Sequence, residues 1–429
     1  SLTGGFLILN LRDRAGVSSR RSSRNPRSGG DNRRRLLLAA GSGLLLSQAG
    51  LPLSARAAEG NDRKAAGAAR GTHAAASPTA GKSATAGAGH AASRAASKPL
   101  RVGFLYDGPI DPYASSHLHA LSAEYVKKQL GSRIELVPAE RVTEGKDADR
   151  VLRKMCADGC QLVFGTAYGF MDAIVRVARD YPSVRFESNA GFKTADNVGV
   201  YNVRYYQARY LAGMLAAYAS KAGVLAYVAP IPVPEVVQGI NAYTLGARAV
   251  NPKAVVRVYW TNNWRDPGLE REATYSLLSQ GADVFTQHTD TVAVAEVARD
   301  RKLKLIGFQG DYSKIVPRNL LLGTVLPNWN AYYLERTRKL LEGKWEPDHT
   351  WGGLADGMVQ LDLGPAPVSQ TVRRQINAVR LQLMRGHRHV FEGELRANDG
   401  KVRQLGGVMS DTVMQKMDWL AEGVIGRVN

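Results

Sequence analysis

Cysteine is almost absent from this sequence of 429 residues, which contains only Cys156 and Cys160. Neither a second cysteine pair nor a nearby histidine completes the ligand set that a structural zinc site requires. We therefore predict no metal site, and the sequence indicates no cofactor. Two interpretations of the cysteines remain open: a local disulfide, which an oxidising compartment would allow, or two half-buried thiols.

The motifs of several enzyme classes are also missing. The sequence contains no Gly-x-Ser-x-Gly, no Walker phosphate loop and no His-Glu-x-x-His, and its eight histidines are scattered. His288 and Asp290 stand close enough to suggest an acid–base pair, but no nucleophile accompanies them. We therefore predict a protein that is not an enzyme, in which such side chains form hydrogen bonds to a ligand.

The excess of positive charge is large but unevenly distributed. Of the formal net charge of +19, residues 1–97 contribute 15 Lys and Arg against 4 Asp and Glu, which leaves 42 against 34 for the rest. The two signs are interspersed in that longer part, whereas a nucleic-acid groove needs clustered positive charge. We therefore predict no nucleic-acid partner.

A short apolar run follows Arg33 and Arg34 and ends near the Ala-Arg-Ala sequence at 55–57. Paired arginines, a modest apolar segment and an Ala-x-Ala end are typical of a cleaved export signal of the twin-arginine type. We assign residues 1–57 to an export signal with an N-terminal extension, and residues 58–97, rich in Ala, Gly and Ser, to a disordered linker. Because no cysteine adjoins the cleavage site to carry a lipid, we expect a soluble product in the periplasm.

Strand-like runs alternate with amphipathic segments from residue 98 onwards. In the second of two such series, apolar runs at 224–228, 255–260, 283–286 and 303–308 are separated by segments with apolar residues at three- and four-residue spacing. This alternation is typical of right-handed βαβ units that form a parallel sheet with helices on both faces. We therefore predict an α/β protein of two Rossmann-like lobes with parallel sheets, joined by crossing strands, with a cleft between them.

The late part of the chain divides into shorter segments, which we interpret as crossings between the lobes. The tail contains a hairpin-like stretch at 391–403 and a final amphipathic helix predicted at 411–421. The predicted lobes are residues 98–205 and 327–347 for lobe 1, and residues 206–326 and 348–429 for lobe 2.

Residues that follow strands are candidates for binding, because ligands of open α/β sheets lie beyond the carboxyl ends of the strands. Flat aromatic side chains and carboxylates are prominent among them. Aromatic rings stack on a planar ligand while carboxylates accept hydrogen bonds from its amino groups, which favours a nitrogen-rich planar molecule. The candidate ligand-binding residues are Tyr106, Asp107, Tyr168, Trp264, Asp290, Asp311 and Trp329.

Several motifs resemble those of the basic membrane protein (BMP) family, whose members are extracytoplasmic solute-binding proteins of ABC transporters with a type I periplasmic-binding fold. The resemblance extends from residue 98 to the C-terminus. Its motifs are FGTAYGFMD at 164–172, KTADN at 193–197, VPEVVQGIN at 233–241, DVFTQHTD at 283–290 and YY at 332–333.

This resemblance implies a ligand. Family members bind purine nucleosides or free purine bases between their lobes, and the sequence TQHTD is similar to that of members associated with adenine. Carried over by position, the resemblance implies stacking by Tyr168 and Trp264 and a carboxylate contact from Asp311. The segment 324–330 lacks the lysine that nucleoside-binding members have there, which favours a free base. We expect a monomer whose partners are the permease and ATPase subunits of an ABC transporter.

Two other functions stay open at this point. A sensor or regulator on the same fold would need a DNA-binding or signalling segment, and residues 59–97 show none. A purine-processing enzyme would turn over adenosine or adenine during incubation.

The assignment of residues 1–57 to a cleaved export signal predicts a mature N-terminus near Ala58. The measurement is N-terminal sequencing of the secreted protein. A secreted form that still carried residues 1–57 would contradict the assignment of this segment to a cleaved signal.

Overall fold

The computed structural model describes residues 98–428. They form two α/β lobes, each built on its own sheet, which we call the first half and the second half. Residues 1–97, to which the export signal and the linker were assigned, lie outside the described residues. Among the described helices, none has the length and apolar character needed to cross a membrane.

The first half is built around a parallel sheet. Its strands, numbered along the chain, are β1 (Leu100–Leu105), β2 (Ile134–Ala139), β3 (Leu162–Gly165), β4 (Arg185–Asn189), β5 (Val198–Val203) and β11 (His349–Gly352). They lie in the order β11-β5-β4-β3-β1-β2. Strands such as β3 are buried on both faces, as a parallel sheet between two layers of helices requires. The helices of this half are α1 (Ser115–Leu130), α2 (Lys146–Ala157), α3 (Met171–Asp180) and α8 (Asn330–Leu341), of which α8 packs on α1.

The second half contains a larger sheet of the same kind. Its strands are β6 (Val224–Ala229), β7 (Val255–Trp260), β8 (Val284–Gln287), β9 (Lys304–Phe308), β10 (Leu321–Pro327), β12 (Val359–Leu363) and β15 (Val424–Ile425). They lie in the order β12-β10-β9-β8-β6-β7-β15, with β12 antiparallel to β10 and the others parallel. The helices of this half are α4 (Tyr205–Ala219), α5 (Pro234–Val250), α6 (Pro267–Ser279), α7 (Ala293–Arg301), α9 (Gln370–Met384) and α10 (Asp411–Met414).

The chain passes between the halves from β5 to α4, from β10 to α8 and from β11 to β12. Most consecutive strands of each sheet are joined by a helix, and the parallel strands of a sheet end at a common edge. The predicted fold class, α/β with two Rossmann-like lobes of parallel sheet and crossing strands, is confirmed.

Strand β11 differs from the predicted lobe boundary. We expected residues 348–429 in lobe 2, but residues 349–352 pair with β5 in the first sheet. The contacts that hold this strand are distant in the chain: it completes the outer edge of β5, and the Arg204 guanidinium covers the Trp351 ring, 4.3 Å from the ring centroid. The short apolar content of this strand gave no signal of which sheet it would join.

The tail confirms one prediction and corrects another. The hairpin is present as β13 (Leu395–Arg396) and β14 (Val402–Gln404). The helix predicted at 411–421 was wrong, because α10 ends at Met414. Beyond it, Asn241 donates to the Trp419 carbonyl at 2.7 Å and accepts from the Ala421 N–H at 2.7 Å, so a side chain of α5 takes the backbone hydrogen bonds that a helix would use internally.

The two cysteines are free and buried at the end of α2. Of the two interpretations left open by the sequence, the structure has the pair of thiols. Burial raises the pKa of Cys156 to about 12 and that of Cys160 to about 11. Both thiols are therefore protonated and unreactive at neutral pH.

A buried carboxylate attaches the late segment of the first half to its sheet. Glu187 of β4 has 0% side-chain exposure and pairs with Arg336 of α8. It also accepts from the Tyr332 hydroxyl and the Trp345 indole N–H, each at 2.7 Å. This network links α8 to β4, although five strands of the second half, β6 to β10, lie between them along the chain.

Replacing Glu187 with Gln should lower the free energy of unfolding by about 3 kcal/mol, because Arg336 is then left buried without a counter-charge. Chemical denaturation followed by circular dichroism is the measurement. The matched control is Glu335→Gln on the same helix, whose exposed ion pair with Lys339 should contribute less than about 1 kcal/mol. Equal effects of the two substitutions would show that burial of the Glu187 pair does not matter.

Candidate functional site

The loops that follow the strands of one half contact those of the other. The loop after β1 in the first half meets the loops after β7 and β8 in the second, through Ser115 with Asp290 and Gly108 with Arg265. Since these loops extend from the carboxyl ends of their strands, the carboxyl edges of the two sheets enclose a cleft. This is the position at which open α/β sheets bind ligands.

Helix α1 obtains its N-terminal cap from the opposite half. Its own N-cap residue is Ala114, which has no side-chain acceptor, and its first turn has no acidic residue. Instead Asp290, just beyond β8, accepts from the Ser115 N–H at 2.8 Å and from the Ser115 hydroxyl at 3.1 Å. We call this contact the cross-cleft cap. A carboxylate is a favourable group at a helix N-terminus because it satisfies free N–H groups and opposes the positive end of the helix dipole.

Arg265 strengthens the cross-cleft cap from the side of the second half. Its guanidinium donates to Asp290 and occupies the space that a side chain on Gly108 would fill. Burial raises the pKa of Asp290 to about 6, with Arg265 opposing the shift and Asp107 adding to it. The carboxyl of Asp290 is therefore largely ionised at neutral pH, as its role as an acceptor requires. Asp107 accepts from the Ser116 hydroxyl at 3.3 Å.

The loop after β1 makes a further contact with the second half. The ring of Tyr113 lies 6.5 Å from that of Tyr312, measured between centroids. Tyr312 follows Asp311, whose carboxylate accepts from the Ser313 N–H at 2.9 Å and so caps a short 3-10 helix at 312–314. This aromatic contact is a further contact between the two halves, beside the cross-cleft cap.

On the second half, an imidazole occupies an aromatic enclosure at the edge of the cleft. His288 follows β8 directly and is 1% exposed. Its ring centroid lies 4.4 Å from that of Phe308, 6.3 Å from Tyr205 and 6.5 Å from Trp264. Burial lowers the pKa of His288 to about 4, so the imidazole is neutral at neutral pH.

A buried cation lies behind this enclosure. Arg209 of α4 is 0% exposed, donates to the Thr286 hydroxyl at 2.9 Å and to the Gln287 carbonyl at 2.8 Å, and has its guanidinium carbon 4.2 Å from the Phe308 ring centroid. Its positive charge also disfavours protonation of His288. The second-half wall of the cleft therefore presents a neutral imidazole among aromatic rings.

The first half contributes an aromatic cluster of its own. The ring of Trp329 stacks on His119 at 4.8 Å and meets Tyr201 edge to face at 5.4 Å. His119 bonds the Tyr333 hydroxyl at 2.6 Å, and burial lowers the pKa of His119 to about 3, so this ring is neutral as well. The Trp329 indole N–H and the side-chain N–H of Asn189 are buried without a partner among the described residues. Such groups are costly unless a ligand or a water pairs with them.

The structure brings three of the seven sequence-predicted residues together. Asp107, Asp290 and the Trp264 backbone lie at the cross-cleft cap, where the Trp264 carbonyl accepts from the Asp290 N–H at 2.9 Å. Tyr106 and Trp329 are each 1% exposed in the core of the first half.

The other two predicted residues lie apart from this group. Tyr168 begins a short 3-10 helix and is 43% exposed, and among the described ring pairs the partner of Trp264 is His288. The stacking of one ligand between Tyr168 and Trp264 stays a prediction, because two rings that enclose a ligand do not contact each other. Asp311 is exposed and its carboxylate serves as a cap.

Sequence reasoning missed four polar residues of the cleft: Ser115, Arg265, Asn202 and Glu235. Glu235 is in the first turn of α5 and accepts from the Asn202 side chain at 3.0 Å, which is a second polar contact between the halves. Pro234 at the start of a helix directly after β6 is a signal that could have pointed to Glu235. Nothing in the sequence pairs Ser115 with Asp290, which are 175 positions apart.

A cavity of about 440 Å³ opens at the mouth of the cleft. It is lined by Asp111, Tyr113, Ala114, Arg265, Pro267, Asp290, Thr291 and Val292. The cavity adjoins the cross-cleft cap, so movement of the two halves would change its width.

Known proteins are similar to this chain in sequence and in fold. The family model described as "ABC transporter substrate-binding protein PnrA-like" (Bmp) matches residues 100–388. The chain is 37% identical to the purine-binding protein of Brucella abortus (strain 2308) over 77% of this chain and 94% of that protein. It is 35% identical to a protein of Haloferax volcanii named as a candidate ABC transporter glucose-binding protein, over 66% of this chain and 70% of that protein.

A solved ABC transporter solute-binding protein from Conexibacter woesei has a similar fold, with a TM-score of 0.57 and 20% identity over 68% of this chain and 98% of that one. The two halves and their cleft thus have a type I periplasmic-binding fold. The chain belongs to the Bmp family of ABC transporter substrate-binding proteins.

Replacing Asp290 with Ala should open the ligand-free protein, because α1 loses its only described cap and Arg265 loses its partner. We expect the ratio of closed to open forms to fall about tenfold, ~1.4 kcal/mol. The measurement is the distance between spin labels on cysteines introduced at Lys128 and Lys253, which are exposed on the first and second halves. The native cysteines are buried and will not be labelled.

The control is Asp266→Ala, which removes a cap made within the second half, where Asp266 accepts from the Gly268 and Leu269 N–H groups at 3.0 Å. It should lower stability without changing the label distance. If Asp290→Ala leaves the distance distribution as in wild type, the cross-cleft cap does not hold the halves together.

Proposed function

We propose that this protein encloses a purine in the cleft between its halves, with an adenine-like base favoured over a nucleoside, and delivers it to the permease and ATPase of an ABC transporter. The proposal rests on the side chains that line the cleft walls. Neutral aromatic and imidazole rings, with buried N–H groups that have no described partner, line the carboxyl edges of both sheets.

The chemistry of the walls suits a planar, uncharged, nitrogen-rich molecule. His119 and His288 are both neutral because they are buried, so neither wall presents an imidazolium to an uncharged ligand. Trp264 is only partly buried and offers ring surface for stacking. Unpaired N–H groups on Trp329 and Asn189 suit the ring nitrogens of a heterocycle. The name of the Brucella abortus relative, a purine-binding protein, supports the same ligand class.

Two features support a base over a nucleoside. The segment 324–330 has no lysine to contact a ribose. In that segment Trp329 is 1% exposed and stacked on His119, so its ring fills the first-half wall. A free base needs less room and no sugar contact, which is consistent with this filled wall.

The partners and location follow from this proposal. A binding protein that closes on its ligand presents the closed form to its permease, so the population of the closed form couples binding to transport. We propose that the protein acts as a monomer in the periplasm after export. A regulator on the same fold would need an output segment, and a purine-processing enzyme would convert its ligand during incubation.

Replacing Trp264 with Ala should weaken adenine binding about tenfold to a hundredfold, because stacking of a base on an aromatic ring contributes roughly 1 to 3 kcal/mol. Calorimetric titration of the full chain is the measurement, and wild type should bind with a Kd in the micromolar range or below. The control is Trp260→Ala at the end of β7, whose indole donates to the Arg427 carbonyl at 2.7 Å and which should keep its affinity for adenine.

The same titrations decide between ligands. Adenine should bind more tightly than adenosine, and glucose should not bind. Tight binding of glucose would replace the purine proposal with the ligand class named for the Haloferax volcanii relative. Conversion of adenine or adenosine during incubation would favour an enzyme.

A further inference from the structure

Three residues from three strand ends meet across the centre of the cleft. Asn202 belongs to β5 of the first half, Glu235 lies in the first turn of α5 after β6, and His288 follows β8. The Asn202 amide donates to Glu235 Oε2 at 3.0 Å, and Glu235 Oε1 lies 3.7 Å from His288 Nε2. The second distance is too long for a hydrogen bond. The outer oxygen of Glu235 and the outer nitrogen of His288 therefore face each other without bonding.

The groups beside the two ring nitrogens of His288 indicate which nitrogen bears the proton. Nδ1 lies 2.8 Å from the Tyr227 hydroxyl. Burial raises the pKa of Tyr227 to about 12, so this hydroxyl is protonated, and His288 is its only described hydrogen-bond partner. On the other side of the ring, Glu235 Oε1 lies 3.7 Å from Nε2, and an acceptor at that position favours a proton on Nε2 over a lone pair. Tyr227 therefore donates to Nδ1, and the imidazole proton is on Nε2.

The Nε2–H of His288 is thus a buried donor with no described partner, on a side chain that is 1% exposed. Glu235 beside it is an acceptor with 24% side-chain exposure, so it can be reached from the cleft. A neutral imidazole forms no ion pair with Glu235, which leaves both groups available. An acceptor and a donor side by side match a ligand edge that has a donor and an acceptor side by side.

We propose that Glu235 and His288 determine ligand specificity by recognising the amino-substituted edge of the bound base. Glu235 Oε1 accepts from the exocyclic amino group, and His288 Nε2–H donates to the adjacent ring nitrogen. The inference rests on the proposed function and names the ligand class more closely, as a 6-aminopurine-type heterocycle. Asn202 is a positioning residue, since its amide holds the other oxygen of Glu235.

The surroundings favour such a contact. Trp264 lies 6.5 Å from His288 at an interplanar angle of 67°, so a base stacked on the indole would meet the imidazole at a steep angle, with an edge towards it. Arg209, Phe308 and Tyr227 pack behind the imidazole and fix its position. The charged group that faces the ring from the cleft side is Glu235, at 3.7 Å.

The first test compares adenine with unsubstituted purine, which lacks the amino group but keeps the ring nitrogens. Calorimetric titration of the full chain should show that wild type prefers adenine by about tenfold to a hundredfold. Glu235→Gln should abolish most of this preference by weakening adenine, while the affinity for purine stays within about twofold. The control is Glu272→Gln, an exposed glutamate of α6 that should change neither affinity.

The second test separates the two nitrogens of His288. Asn at this position can keep a contact with Tyr227 but has no group at the place of Nε2, so His288→Asn should weaken adenine and purine alike, by about tenfold. Gln has an amide N–H near the place of Nε2, so His288→Gln should retain more affinity than His288→Asn. Thermal unfolding of each variant shows whether it is folded.

The outcomes distinguish this inference from the proposed function. If Glu235→Gln weakens adenine and purine equally, or if His288→Gln binds no better than a folded His288→Asn, the assignment of these two residues is overturned while purine binding stands. If wild type binds neither base, the proposed function fails, and the assignment with it.

Discussion

The carboxylate of Asp290 is the group on which the arrangement of the cleft depends. It is the acceptor for the first N–H of α1, and that helix has no cap of its own. The same carboxylate holds Arg265 against the backbone of Gly108. One ionised side chain therefore fixes a helix of the first half, an arginine of the second and the distance between them. Separation of the halves exposes all three groups to water at once, which makes the two arrangements distinct states.

The cleft walls keep their polar rings uncharged. His119 in the first half and His288 in the second are both neutral through burial, and the Arg209 guanidinium behind His288 packs against the rings of Tyr227 and Phe308. Acidic and basic side chains lie beside these rings: Asp290 and Arg265 meet at the rim, and Glu235 lies 3.7 Å from His288. Such a site can use the ion pair at the rim for closure and the hydrogen-bonding groups around His288 for recognition, because different residues perform the two tasks.

The fold was largely predictable because it depends on local patterns. The helix at 115–130 and the strand at 100–105 follow from periodicity and turn residues within a few positions. The placement of β11 in the first sheet and the early end of α10 were not predictable, because both depend on partners far away in the chain. The same limit applies to the site. Trp264 and Asp290 follow strands and were predicted on that ground, whereas the contacts of Glu235 and Ser115 are with Asn202 and Asp290 in the opposite half.

The connectivity of the first half has a consequence for folding. Its sheet is built from residues 100–203 and is completed by β11 at 349–352, after the chain has formed most of the second half. Until α8 arrives, Glu187 lacks the buried arginine that neutralises it. The first half is therefore incomplete when it emerges during synthesis and closes only after long-range contacts form, which is a slow step by loop-closure entropy. Completion of the first half is therefore coupled to folding of the second, although each half has a sheet of its own.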